Sequence, residues 1–224
     1  MKHRALVLFD FDGTLYPIAP YDSEQLLVRS VASHKSTLFK QRANRFIAQD
    51  QAGKFTQQGF STRYAHLVQS ANQSMIDAIA HTLATRLNDQ DIAALSALHN
   101  HADLAILSCG TQNIIEAFLA ELGLRDLFIK VKAKRLVWDE KGTAQLTIDI
   151  ASAEDKALNV ETFRPYHFPI VAIGDGPTDI PMLKASDHGI LVNWNSGKNT
   201  LPFETHCTLK KAVLAASSYI VNAQ

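Results

Sequence analysis

The chain has 224 residues, 46 % of them hydrophobic and 20 % charged, the balance of a soluble globule with room for a core domain and a smaller insert. Lys plus Arg and Asp plus Glu both number 22, so the formal net charge is zero. That argues against a general nucleic-acid or anionic-membrane binder, which needs a basic excess, but leaves room for a small anionic ligand. Cys109 and Cys207 offer neither a disulfide framework nor metal-site spacing.

The N-terminal run RALVLF, residues 4–9, is apolar without polar alternation, as expected of a strand buried on both faces. Asp10 and Asp12 cut it short, so it serves neither as a signal-peptide core nor as a membrane span, and a reducing, cytoplasmic setting is the expectation. Residues 17–88 carry helical periodicity and no strand-like run, with a polar connection between Gly53 and Gly59. They read as a helical insert. A second buried strand is expected at 104–107, ending in Ser108, and then a helix ending at Gly123, with Ile114, Ile115, Phe118, Leu119 and Leu122 on one face. Residues 130–150 read as a hairpin turning at Asp139–Gly142, and SAEDKALNVETF as a helix with Lys156 near its start. Further buried runs, 169–173 and 190–192, complete the alternation of a doubly wound parallel sheet; the first of them leads into GDGPTDIPML.

In such sheets ligands bind beyond the carboxyl ends of the strands, so the polar residues ending three separate runs are expected to converge. Gly13 allows a sharp turn that lets Asp10 and Asp12 face one small volume. Asp175 and Asp179 add two more carboxylates from GDGPTD, and an all-oxygen cluster of this kind favours a hard cation such as Mg2+. Ser108, Cys109 and Gly110, at the expected start of a helix, supply a hydroxyl and backbone N–H groups for a phosphate oxygen. Lys156 near a helix N-terminus is unfavourable for the dipole, which points to a role elsewhere; Lys134 and Lys184 are alternatives for that role.

Rival motifs fail on inspection. A cysteine phosphatase loop built on Cys109 needs Arg six positions on, where Ile115 stands, and SGKNT at 196–200 lacks the hydroxyl residue and first glycine of a nucleotide loop. His99 and His101 read as solvated loop residues.

The ordered set DFDGT, LAILS, a following Lys and GDGPTD resembles the haloacid dehalogenase superfamily of phosphohydrolases over nearly the whole chain. SCGTQNIIEAFLAELGL and GDG-x-x-D are most similar to its phosphoserine-phosphatase-like branch. The resemblance implies a Rossmann-like α/β core of residues 1–16 and 89–224 and a helical cap of 17–88. It further implies that Asp10 attacks phosphorus and Asp12 serves as acid and base. Asp10, the Asp12 carbonyl and Asp175 would hold Mg2+, with Asp179 in support. Ser108, Gly110 and Lys156 would grip the transferring group, beside Cys109, and Thr14 would fix the loop. The implied partner is a small phosphorylated metabolite, with no nucleic acid and no membrane. A phosphomutase would use the same residues, and a non-catalytic phosphate-binding scaffold is the reading from another class. Arg29, His34, Lys35, Lys40, Arg42, Arg45, Arg63 and Tyr64 are the cap candidates for reading the leaving group. A basic cap points to a leaving group with acid character or a second phosphate. Thr178, where phosphoserine phosphatases usually carry Asn, speaks against phosphoserine itself.

Overall fold

The computed structural model describes residues 3–195 and 201–223; the SGKNT stretch lies outside them. Seven strands form one sheet in the order β4-β3-β2-β1-β5-β6-β7. They are β1 (Arg4–Phe9), β2 (Ala102–Thr111), β3 (Phe128–Trp138), β4 (Ala144–Ile148), β5 (His167–Gly174), β6 (His188–Val192) and β7 (Glu204–His206). All pairings are parallel except that of β4 with β3. The expected hairpin is therefore the edge of the main sheet, closed by Gly142 at φ 75°. β1 lies at the centre because both its faces are apolar. Ala5, Val7 and Phe9 enter one core cluster, Leu6 and Leu8 the other, and all five are fully buried. Each such Val, Leu or Phe contributes about 1.5–3 kcal/mol of burial.

Five helices are inserted between β1 and β2: α1 (Ser23–Ser33), α2 (Thr37–Gln51), α3 (Gln57–Leu67), α4 (Gln73–Ala84) and α5 (Asp89–His99). Each starts on a side-chain cap, from Asp22, Ser36, Thr56, Asn72 and Asn88 respectively, which meets amide donors the helix itself leaves unpaired. His99 thus closes α5 instead of lying in a loop. The other helices are α6 (Gln112–Glu121), α7 (Ala153–Phe163), α8 (Ile180–Ala185) and α9 (Leu209–Ala223). Gly123, at φ 67°, ends α6 in a Schellman arrangement, with Gly123 N–H donating to Ala120 O and Leu124 N–H to Leu119 O. α5 packs on α9 and β2, and α4 on α6. No helix among the described residues is long and apolar enough to cross a membrane.

One expectation needs correction. Ser108 does not stand at the start of a helix: β2 continues through Gly110 to Thr111, and α6 opens at Gln112. Pairing of Thr111 with Lys134 across a register irregularity holds this stretch extended. Any anion grip at 108–110 therefore comes from the end of a strand.

Candidate active site

β1, β2 and β5 end side by side and deliver Asp10, Ser108 and Asp175 to one cleft of about 520 Å3. Asp10 N–H donates to Ile173 O at 3.0 Å, which ties the start of the first loop to β5. Phe11 then buries its ring edge-on against Tyr16 and Phe118, so Asp12 and Gly13 turn back over the strand ends. Gly13 has φ 81°, and a Cβ there would stand 2.2 Å from Asp175 Oδ2. We expect Gly13→Ala to cost about 1–3 kcal/mol and to push Asp175 out of place. Denaturant unfolding beside a divalent-cation titration checks this, with affinity falling about tenfold or more.

The long lysine of α7 closes the centre. A capping box of Ser152 and Asp155 sets the start of α7 and aims Lys156 inward, where it is 1 % exposed. Its Nζ donates to Asp10 Oδ1 at 2.6 Å and to Asp179 Oδ1 at 2.7 Å. Asp179 Oδ2 accepts from the amides of Asp175 and Gly176, at 2.9 Å and 3.2 Å, so both its oxygens are engaged. Asp10, Asp175 and Asp179 each offer an oxygen within 4.8 Å of the others, a cluster that could hold a metal ion. Three carboxylates share one ammonium here. Burial, with Asp179 and Asp12 nearby, pushes Asp10 up to about 7 despite Lys156. Burial and the neighbouring Asp10 and Asp179 push Asp175 to about 8. Lys156 itself is held above the ordinary lysine range: burial opposes its charge, but Asp10 and Asp179 outweigh it. A cluster short of positive charge is chemically suited to a cation.

The remaining expected residues take distinct places. Asp12 stays in the cleft, but its carboxylate turns toward α1, where Tyr16 OH, Ser23 N–H (2.7 Å) and Ser23 Oγ (2.8 Å) donate to it. It is not part of the three-carboxylate cluster. Ser108 is buried and its Oγ accepts from Gly110 N–H at 3.0 Å. Gly110 is small of necessity, since a Cβ would meet Asp12 Oδ2 at 2.9 Å. Cys109 lines the cleft with its thiol pushed up by burial to about 11, which keeps it protonated at neutral pH. Thr14 is fully buried and its hydroxyl has no hydrogen-bond partner among the described residues; its amide, donating to Phe11 O, is what holds the turn. Lys184 is exposed on α8, away from the cleft lining.

Trp194, Asp22, Glu24 and Asp50 join the site without having been singled out in the sequence, whereas Lys134 and Tyr64 were among the candidates. Trp194 Nε1 donates to Gly13 O at 2.7 Å and pins the loop. A buried network joins insert to sheet: Glu24 Oε2 pairs with Lys134 Nζ at 2.9 Å, Thr111 Oγ1 donates to Glu24 Oε1 at 3.0 Å, and Tyr64 OH lies 2.7 Å from Thr111 Oγ1. Asp22, Glu24 and Asp50 line the same cleft. The capping signal Asp22-Ser23 before an apolar periodic run was the clue available for the first of these.

The basic residues expected to face the site do not. Arg42, Arg45 and Arg63 line a separate groove with Phe46 and Leu67, His34 and Lys35 another near Ser70, and Arg29 stacks on Tyr21. Lys40 is absent from the lining, and Tyr64 is buried in the network above. Helical periodicity identifies a polar stripe but not what that stripe faces.

A model of the haloacid dehalogenase-like hydrolase family matches residues 7–184. The chain belongs to that family. No curated protein sequence matches this hydrolase, whereas solved structures do. A probable phosphoserine phosphatase from Vibrio cholerae is similar at TM-score 0.72 and 17 % identity, over 98 % of this chain and 67 % of that one. A phosphoserine phosphohydrolase-like protein from Francisella tularensis gives 0.67 at 18 % identity, over 96 % and 99 %. A phosphoserine phosphatase from T. onnurineus gives 0.65 at 17 % identity, over 99 % and 96 %. At these identities the likeness is one of fold. It agrees with the family that the four ordered motifs resemble.

Proposed function

We propose that this hydrolase is a Mg2+-dependent phosphatase that cleaves a small phosphomonoester through an aspartyl-phosphate on Asp10, with residues 17–88 as cap over a core of 1–16 and 89–224. The observation that carries the reading is Lys156. One buried ammonium, within 2.7 Å of both Asp10 and Asp179, ties residues far apart in sequence into one charge cluster. A lysine and three carboxylates at converging strand ends are an expensive arrangement for stability alone.

Asp10, the Asp12 carbonyl and Asp175 would hold the ion, while Asp179 fixes Lys156 and the Asp175 loop. Bound there, Mg2+ neutralises charge on the phosphoryl oxygens. The Asp10 oxygen not engaged by Lys156 bonds to phosphorus as the ester P–O bond breaks, and the departing oxygen takes a proton from Asp12. Asp12 then takes a proton from the water that attacks phosphorus, which frees Asp10 and inorganic phosphate. Ser23 and Tyr16 set the position of Asp12; Ser108, Gly110 and Lys156 would hold the phosphoryl oxygens.

A phosphate-release screen over small phosphomonoesters tests the reading. Turnover with Mg2+, its loss in EDTA, and a rise in Tm with Mg2+ plus beryllium fluoride are expected; no turnover and no shift would contradict it. The metal effect should depend on pH. Asp10 and Asp175 bind protons in the folded state up to about 7 and about 8. Raised carboxylates contribute stability that is present below their unfolded pKa, about 4, and lost as pH rises through those folded values. Without metal, Tm is thus expected to fall between pH 5 and 8.5. The Mg2+-induced rise should grow over the same interval, because the ion takes the deprotonated form.

A further inference from the structure

We infer that the leaving group this site takes is a small alcohol bearing an organic cation, an amino alcohol, with no second anionic group. The inference rests on the phosphatase reading above and concerns the half of the cleft beyond Asp12.

Three carboxylates, Asp22, Glu24 and Asp50, line that half, against one ammonium, Lys134. Lys134 is already committed to Glu24 at 2.9 Å, with both side chains nearly buried, and its Nζ lies 4.6 Å from the centroid of the Phe60 ring. Asp22 and Asp50 are left without an ion-pair partner among the described residues. Gln25 holds both: its N–H donates to Asp22 Oδ1 and its Nε2 to Asp50 Oδ2, each at 2.7 Å, so one oxygen of each carboxylate remains open. Burial, and after it the nearby Asp12 charge, holds Asp22 well above the usual carboxylate range, a shift that a bound cation would oppose.

Two further observations point to an organic occupant. Ser61, 9 % exposed, lines the cleft and its hydroxyl makes no hydrogen bond among the described residues. That hydroxyl opens to the cleft and is free to bond a ligand held there. Phe55 and Phe60 form an apolar wall beside the carboxylates, which suits methylene groups and disfavours a hydrated metal ion. A carboxylate or second phosphate would have to displace Glu24 from Lys134 and sit among the remaining acids. Arg42, Arg45, Arg63, His34 and Lys35 line other grooves and offer no compensation.

The test compares kcat/KM for 2-aminoethyl phosphate, the neutral 2-hydroxyethyl phosphate and O-phosphoserine, in wild type and in Asp50→Asn and Asp22→Asn. Asn keeps an acceptor for Gln25 and removes the charge. The wild type is expected to favour 2-aminoethyl phosphate over each of the others by about tenfold or more. That ratio to 2-hydroxyethyl phosphate should fall by about tenfold in at least one variant. A preference for O-phosphoserine would overturn the inference and assign the Glu24–Lys134 pair to a zwitterion. Equal use of the charged and neutral esters, or a ratio unmoved in both variants, would also overturn it while leaving the phosphatase reading intact. If no ester at all is hydrolysed, it is the phosphatase reading that fails, and the leaving-group inference falls with it.

Discussion

Asp10→Asn is expected to slow phosphate release by about 10^4-fold or more, with KM little changed, because the variant removes the atom that bonds to phosphorus and leaves the surrounding grip in place. The same substitution should not destabilise the protein at pH 8 in the absence of metal. Asp10 is one of three carboxylates around a single lysine, and its folded-state value of about 7 means that its charge is disfavoured there by burial and by Asp179. Asn is uncharged and still accepts from Lys156. Tm in EDTA at pH 8 is thus expected to equal or exceed that of the wild type. Loss of activity accompanied by a large loss of Tm would instead mean that Asp10 has a structural role.

Lys156→Met is expected to show the opposite balance in stability. Its ammonium is 1 % exposed and bonds to two carboxylates, so its removal leaves buried acids facing one another. Breaking a buried pair on one side costs about 3–5 kcal/mol, and Met of similar length keeps the packing, so that cost is electrostatic. Lys156 is held charged well beyond neutrality, so its own charge is constant from pH 5 to 9. The carboxylates it leaves behind are not constant. At pH 5 they take up protons, and the deficit measured by denaturant unfolding should shrink; at pH 8 it should be largest, and Mg2+ should restore part of it. A deficit independent of pH and metal would contradict the cluster's electrostatic reading. Activity should fall by at least about 10^2-fold, since a donor to the phosphoryl oxygens is also lost.

The legible part of this protein follows from burial. A parallel sheet covered on both faces writes its strands as unbroken apolar runs, so β1, β2, β5 and β6 stand out, and the polar residues at the ends of the first three mark the ligand-binding edge. Asp10, Ser108 and Asp175 were accessible by that rule, and the glycine at 13 announced the tight turn that brings Asp175 against it. Lys156 was accessible only through an unfavourable helix position and the motif order, because its partners lie 146 and 23 residues away. Other features depend on packing between elements that no local pattern reports. Glu24 and Lys134 are 110 residues apart, on a helix and a strand, and neither looks unusual where it stands. Which face of the insert meets the cleft is hidden for the same reason. Its basic residues made a persuasive stripe, yet α1 and α2 present Asp22, Glu24 and Asp50 to the cleft, and the arginines to other grooves. The extended course of 108–111 likewise depends on Lys134 pairing with Thr111 from the neighbouring strand.

The central claim is that Asp10 becomes covalently phosphorylated. Acid-quenching the enzyme during turnover of an ester labelled in its phosphoryl group, followed by peptide mapping, tests it most directly. An acid-stable, alkali-labile label is expected on the peptide containing Asp10, dependent on Mg2+ and absent from Asp10→Asn. Turnover without protein-bound label under these conditions, or label that persists in Asp10→Asn, would contradict it.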